Sequence, residues 1–234
     1  YLNPGDPLAV ERLMETAVRF QDLTAVNPQG HRLLVSNYFG GEHIVTENPW
    51  QWSKPYSYLI LHPGLLLTDW NGSPELKRLL LELADGYLAH GKQDEQGRWT
   101  YPTEINWPDG ATRGGSSPQQ TNLLMWAAYR WTGDARYLRP IEQALRQGGP
   151  GSISGIVNGD IATALNQPEL RQSWVQAAQG RNTSTLALHG AWAATGDKTY
   201  LERLYDELRG EAQFRMPMMT EDHWWVDRVE IPTH

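Results

Sequence analysis

Cysteine is absent from the chain. That excludes disulfide scaffolds and zinc sites built on thiolates, since both need paired or clustered sulfur. Phenylalanine is scarce, at 3 residues, against 11 tryptophans and 10 tyrosines. A core in need of apolar volume alone could use Phe, whereas Trp and Tyr add a polar edge and a broad face that also stacks on sugar rings. Long apolar runs are missing as well. The longest, Leu59 to Leu67, is broken by His62, Pro63 and Gly64 and falls far short of the roughly 20 residues that span a bilayer, so no membrane role is expected. Clustered cations are also lacking, and 20 Lys and Arg against 27 Asp and Glu leave a net charge of −7. Phosphate-backbone binding rests on clustered positive charge, so no nucleic-acid partner is expected. Neither a glycine-rich nucleotide loop nor an HExxH zinc pattern occurs.

What is present is a chain of 234 residues, 40% hydrophobic, long enough to bury a sizeable core in one large or two small domains. It opens at Tyr1 without a basic or apolar leader and reads as a piece of a longer protein whose other domains are missing. The lack of cysteine fits a periplasmic or extracellular location.

An internal repeat organises the sequence. Trp131-Thr132-Gly133-Asp134 with Tyr137-Leu138 returns as Ala194-Thr195-Gly196-Asp197 with Tyr200-Leu201, and Leu123, Met125, Ala128 and Tyr129 fall opposite Leu186, Leu188, Ala191 and Trp192. A helix closed by Gly and a second helix capped by Asp make an αα-hairpin. Looser versions occur around Asp6-Pro7, Ser73-Pro74 and Asn166 to Leu170. Helices before each turn are apolar nearly all round and those after it amphipathic, with Leu76, Leu79, Leu80, Leu83 and Tyr87 as one stripe. Inner and outer helices in repeating pairs predict an all-α fold, an α/α toroid forming an incomplete ring of six or seven hairpins. The toroid is expected over residues 1–212, with 213–234 a linker or tail leading to a missing domain.

Within hairpins the connections are short. Between hairpins they are long, as in Asn27 to Lys54 and Lys92 to Ser117, and loops of that length in a compact domain are usually functional. The first holds Tyr38, His43, Trp50 and Trp52; the second holds Trp99, Tyr101, Glu104, Asn106, Trp107, Asp109 and Arg113. The tail adds His223, Trp224, Trp225 and Arg228. Because helix direction alternates, all these long segments are expected at one end of the bundle.

The Thr-Gly-Asp-x-x-Tyr-Leu hairpins and the stretch from Trp99 to Trp107 resemble the α/α-toroid carbohydrate-active enzymes. These comprise polysaccharide lyases of heparinase and chondroitinase type and six-hairpin glycosidases. The resemblance implies an enzyme acting on an acidic oligo- or polysaccharide, and it is one of repeat architecture rather than of catalytic motif. A lyase needs a group that neutralises a uronate carboxylate and groups that move protons. Asn106, Arg113 and Arg228 suit the first role, and Tyr38, Tyr101, His43 and His223 the second. A glycoside hydrolase would instead use a pair of carboxylates, with Glu104 and Asp109 as candidates. Trp50, Trp52, Trp99, Trp107, Trp224 and Trp225 would stack on sugar rings, with Tyr38 and Arg228 also touching substrate. The favoured reading is a lyase acting by β-elimination. The alternatives are a hydrolase and a helical repeat that binds glycan or protein without turnover. No cofactor is expected, because a divalent metal held by His43 with Glu42 or Glu47, or by His223 with Asp227, would need a third ligand from elsewhere.

Overall fold

A computed structural model describes residues 6–35, 51–55, 58, 61–115, 119–149, 168–180, 183, 185–212, 215–218 and 226–230. The chain divides into two compact units, one of Tyr1–Gly148 with Ser152–Ile156 and one of Gly149–Gly151 with Val157–His234. The division therefore falls inside the expected toroid range, and the tail belongs to the second unit.

The first unit begins with α1 (Pro7–Arg19), started by Asp6, whose carboxylate accepts the Ala9 N–H at 2.9 Å, and by Pro7 in the first turn. α2 (His62–Asn71) ends at Gly72, which takes φ 67° and donates its N–H to the Thr68 carbonyl. Ser73 then caps α3 (Pro74–Leu88). On α3 the apolar stripe points inward, with Leu76, Leu80, Leu83 and Tyr87 all buried. Gly86 lies on the same helix where α3 crosses a strand, and a Cβ there would sit 2.1 Å from the Arg32 carbonyl oxygen. Only glycine lets the two backbones come that close.

α4 (Gln119–Thr132) and α5 (Arg139–Gly148) follow among the described helices of this unit and pack against each other through a 3-10 turn at Ala135–Leu138. In the second unit α6 (Pro168–Ala178), α7 (Thr185–Thr195) and α8 (Thr199–Ala212) pack around Ala178, Leu188 and Ala191, with Val175, Tyr200 and Leu204 at the edge. The two best copies of the repeat share their hydrogen bonds. Gly133 and Gly196 both take φ 73° and donate to the carbonyl four residues back at 2.7 Å. Thr132 and Thr195 each bridge a helix carbonyl at 2.7 Å and the next Asp N–H at 3.1 Å.

The fold class differs from the all-α toroid expected above. The structure is of mixed α and β content, with helices and small antiparallel sheets. The reason lies in the described parts of the long connections, which pair into short strands. β1 (Thr24–Val26) pairs with β2 (Arg32–Leu34), and β4 (Lys92–Gln93) with β5 (Trp99–Thr100). β6 (Glu104–Asn106) is the centre of a three-stranded sheet between β3 (Trp52–Ser53) and β7 (Thr112–Arg113). In the second unit β8 (Arg215–Met218) pairs with β9 (Val226–Glu230). Backbone groups in those segments find partners across strands, a solution that a search for helical period overlooks.

Candidate functional site

The three-stranded sheet gathers more of the expected site residues than any other described element. Trp52 pairs in register with Asn106, and Glu104 with Arg113. The turn between β6 and β7 is Trp107-Pro108-Asp109-Gly110, with Gly110 at φ 72°, a Pro-Asp-Gly sequence that favours turning back. The Asn106 amide oxygen accepts the Asp109 N–H at 3.3 Å, and the Asp109 carboxylate accepts the Ala111 N–H at 2.8 Å. Glu104 and Arg113 form an ion pair across the strands. The Arg113 guanidinium also lies over the Trp52 ring, 4.1 Å from its centroid. Arg113 remains largely exposed, whereas Glu104 is mostly covered. Its planar cation thus rests on an indole and presents an uncovered edge. The Trp107 N–H of the main chain donates to the Gln51 carbonyl at 2.8 Å, and its indole Nε1 is buried without a partner.

Tyr101 and Trp99 belong to a different arrangement. Trp99, Tyr101 and Tyr87 stack in sequence, with centroids 6.2 and 5.6 Å apart, and Tyr58 meets Tyr87 edge-on at 6.3 Å. Tyr101 is 1% exposed. Gly91 packs against its ring so closely that a Cβ would fall 2.4 Å away, while Gln143 accepts its backbone N–H at 2.8 Å. Burial pushes the Tyr101 phenol up to about 12, against the pull of the Arg139 guanidinium. Arg139 caps the Trp99 ring at 4.5 Å. This ladder holds β5 to α3 and α5, so Tyr101 is placed as a packing residue.

A pair of histidines not singled out together by the sequence lies beside the β6–β7 turn. His31, just before β2, and His90, just after α3, meet through Nδ1 and Nε2 at 3.2 Å, with their rings edge to face. His90 is 9% exposed. Desolvation, then the neighbouring His31, lowers its pKa to about 4, opposed by a hydrogen bond to the Gly110 backbone. The signal that could have found this pair is the Asn-Pro-Gln-Gly turn at 27–30, which sets His31 at the start of a strand.

No protein-family model matches the chain, and no curated protein matches it. The site therefore rests on its own geometry. Trp52, Glu104, Asn106, Trp107, Asp109 and Arg113 are brought together, and Trp99 and Tyr101 sit in the adjoining ladder. Tyr38, His43, Trp50, His223, Trp224 and Trp225 lie outside the described residues. Arg228 falls in β9 of the second unit. Among the described residues no cluster of three or more His, Asp or Glu could hold a metal ion, and no helix is long and apolar enough to cross a membrane. A groove of about 700 Å³ opens elsewhere, lined by Met14, Val18, Arg32, Leu76 and Glu82 among others, and none of the expected site residues contributes to it.

Proposed function

We propose that the chain acts on an acidic polysaccharide and cleaves it beside a uronate by β-elimination, outside the cytoplasm. The observation that carries this reading is Arg113 laid on Trp52 at 4.1 Å. A largely exposed guanidinium seated on an indole matches a sugar that bears a carboxylate, because the indole holds the planar cation in place while its uncovered edge takes the charge. Asn106 lies in the neighbouring strand, in register with Trp52, and supplies an amide to the same carboxylate. Neutralising that carboxylate acidifies the C5 hydrogen. A base removes it, the C4–O bond breaks, its electrons leave with oxygen, and the C5–H electrons become a C4–C5 double bond. The departing oxygen takes a proton. Among the proton-transfer groups expected from the sequence, Tyr38 and His43, which share the first unit with Arg113, are kept in this reading, and Tyr101 is dropped because its ring is enclosed in the ladder.

Glu104 and Asp109 are engaged in the Arg113 pair and in the Ala111 N–H, so the paired carboxylates of a hydrolase are less well matched. Binding without turnover is favoured by one observation, the enclosure of Tyr101. Incubation with uronic-acid polymers separates the three. The near-ultraviolet absorbance of an unsaturated uronate is expected to grow with time. New reducing ends without absorbance would mean hydrolysis, and retention on the polymer with neither product would mean a binding module.

A further inference from the structure

We propose that His31 and His90 form a binding site for a borderline transition-metal dication of the Ni²⁺, Cu²⁺ or Zn²⁺ kind, with Nδ1 of His31 and Nε2 of His90 as its two protein ligands. The two nitrogens are 3.2 Å apart. Two imidazole nitrogens bound to one ion at about 2.0 to 2.1 Å, at tetrahedral or octahedral angles, are separated by roughly 2.9 to 3.4 Å. The pair is thus already at the spacing a shared ion requires.

The tautomer of His90 is fixed as a metal ligand needs it, and the backbone position of His31 is fixed beside it. His90 also hydrogen-bonds the Gly110 backbone, and with Nε2 facing His31 the nitrogen left for that bond is Nδ1. An imidazole that gives one N–H to a backbone carbonyl offers its other nitrogen as a lone pair, the arrangement that orients metal-bound histidines. His31 is held by its neighbour Asn27, whose side-chain oxygen accepts the His31 N–H at 2.9 Å and whose own N–H donates to the His31 carbonyl at 2.9 Å. Without metal, His31 Nδ1–H donates to His90; with metal, that proton moves to Nε2 of His31. His31 is half-buried, so solvent reaches the pair from one side and supplies the remaining ligands.

A second feature marks the locality as built for polar contact. Asn27 is 3% exposed, yet its side-chain nitrogen has no hydrogen-bond partner, an uncommon state for a buried donor. The donor set decides the class of ion. Imidazole suits Cu²⁺, Ni²⁺ and Zn²⁺, while Mg²⁺ and Ca²⁺ seek oxygen. Two protein ligands and open positions give a labile site rather than a structural one.

The inference is independent of the glycan reading and is tested without activity. Calorimetric titration with NiCl₂ at neutral pH is expected to show binding of one equivalent, tighter with CuCl₂ and absent with MgCl₂. His31→Gln and His90→Gln are each expected to weaken Ni²⁺ binding at least about tenfold. Ni²⁺ should raise the melting temperature of the wild-type chain and leave that of His31→Gln unchanged. Because His90 is buried and its variant could fold poorly, the half-buried His31 is the deciding position. Unchanged Ni²⁺ affinity in His31→Gln would overturn the proposal and give the binding to other histidines. Failure of the wild-type chain to bind Ni²⁺ would overturn it as well.

Discussion

Asn27 and Asp94 perform the same task in two hairpins of the first unit. The Asn27 side-chain oxygen accepts the N–H groups of Gln29 and His31 at 3.1 and 2.9 Å, and the Asp94 Oδ1 accepts those of Gln96 and Arg98 at 3.0 and 2.8 Å. Each residue also donates its own N–H to the carbonyl four residues on, at 2.9 Å, and each loop closes through a glycine at positive φ, 84° at Gly30 and 78° at Gly97. They differ in the second side-chain atom. Asp94 Oδ2 accepts Arg98 Nε at 2.9 Å, whereas the Asn27 nitrogen has no partner.

Replacing Asn27 by Ala removes the single acceptor that serves two N–H groups in a partly buried loop. The expected loss is about 1 to 3 kcal/mol of stability, read as a lower urea midpoint at unchanged slope. An unchanged midpoint would show that water replaces the side chain fully.

Asp94 makes the stability of its hairpin depend on acid. The Arg98 backbone N–H above all, helped by the Arg98 guanidinium and the Gln96 N–H, holds its carboxyl below the usual range. A carboxyl depressed in the folded state contributes stability above its unfolded pKa of about 3.9, and that contribution is lost as pH falls through the folded value. Wild type is therefore expected to exceed Asp94→Asn in stability near neutrality, with the gap closing below roughly pH 4. Thermal melts of both proteins from pH 2 to 7 give the comparison. A gap that stays constant over that range would remove the linkage.

Gly86→Ala drives a methyl into the Arg32 carbonyl, 2.1 Å from the ideal Cβ position. Overpacking typically costs about 1 to 3 kcal/mol, and because the obstacle is backbone rather than a movable side chain, the upper end is expected. A variant as stable as wild type in urea would mean that α3 and β2 separate freely.

Tyr101→Phe keeps the ring between Tyr87 and Trp99 and removes only the hydroxyl. With the phenol buried and pushed up to about 12, no proton transfer at neutral pH is expected of it. Production of unsaturated uronate by the variant should match wild type within about twofold, a difference of roughly 0.4 kcal/mol in barrier. A loss of a hundredfold with folding intact would return Tyr101 to the reaction.

Arg113→Ala is expected to weaken binding of acidic glycans about tenfold, equivalent to roughly 1.4 kcal/mol, and to flatten its dependence on salt. Stability should change by less than about 1 kcal/mol, since the pair with Glu104 is partly exposed. Affinity electrophoresis in gels containing the polymer measures the first effect. Equal retardation of both proteins would separate Arg113 from recognition.

The helices and their turns were legible because their determinants are local. A Gly in the left-handed region, an Asp or Ser at a cap and a stripe at helical spacing act within a few residues, and Gly133, Gly196, Ser73 and Leu80 behave as their neighbours dictate. The small sheets were harder to read. β3, β4, β5 and β7 have two residues each, too short for alternation to show, although Asn27-Pro28-Gln29-Gly30 and Pro108-Asp109-Gly110 carried turn signals that a repeat-first reading passed over.

The sequence by itself determined the capped turns at Asp6, Ser73, Gly133 and Gly196, that the two best hairpins share one turn chemistry, and that Trp52, Glu104, Asn106 and Arg113 lie in segments rich in aromatic and ionisable groups. Tertiary structure alone decided that Trp52 stands beside Asn106, that Arg113 covers Trp52, that Tyr101 is enclosed and that His31 meets His90. Those pairs join residues far apart in the chain. Their partners are selected by strand register and by the close approach that Gly86 and Gly91 permit, and neither is written in the local order of side chains.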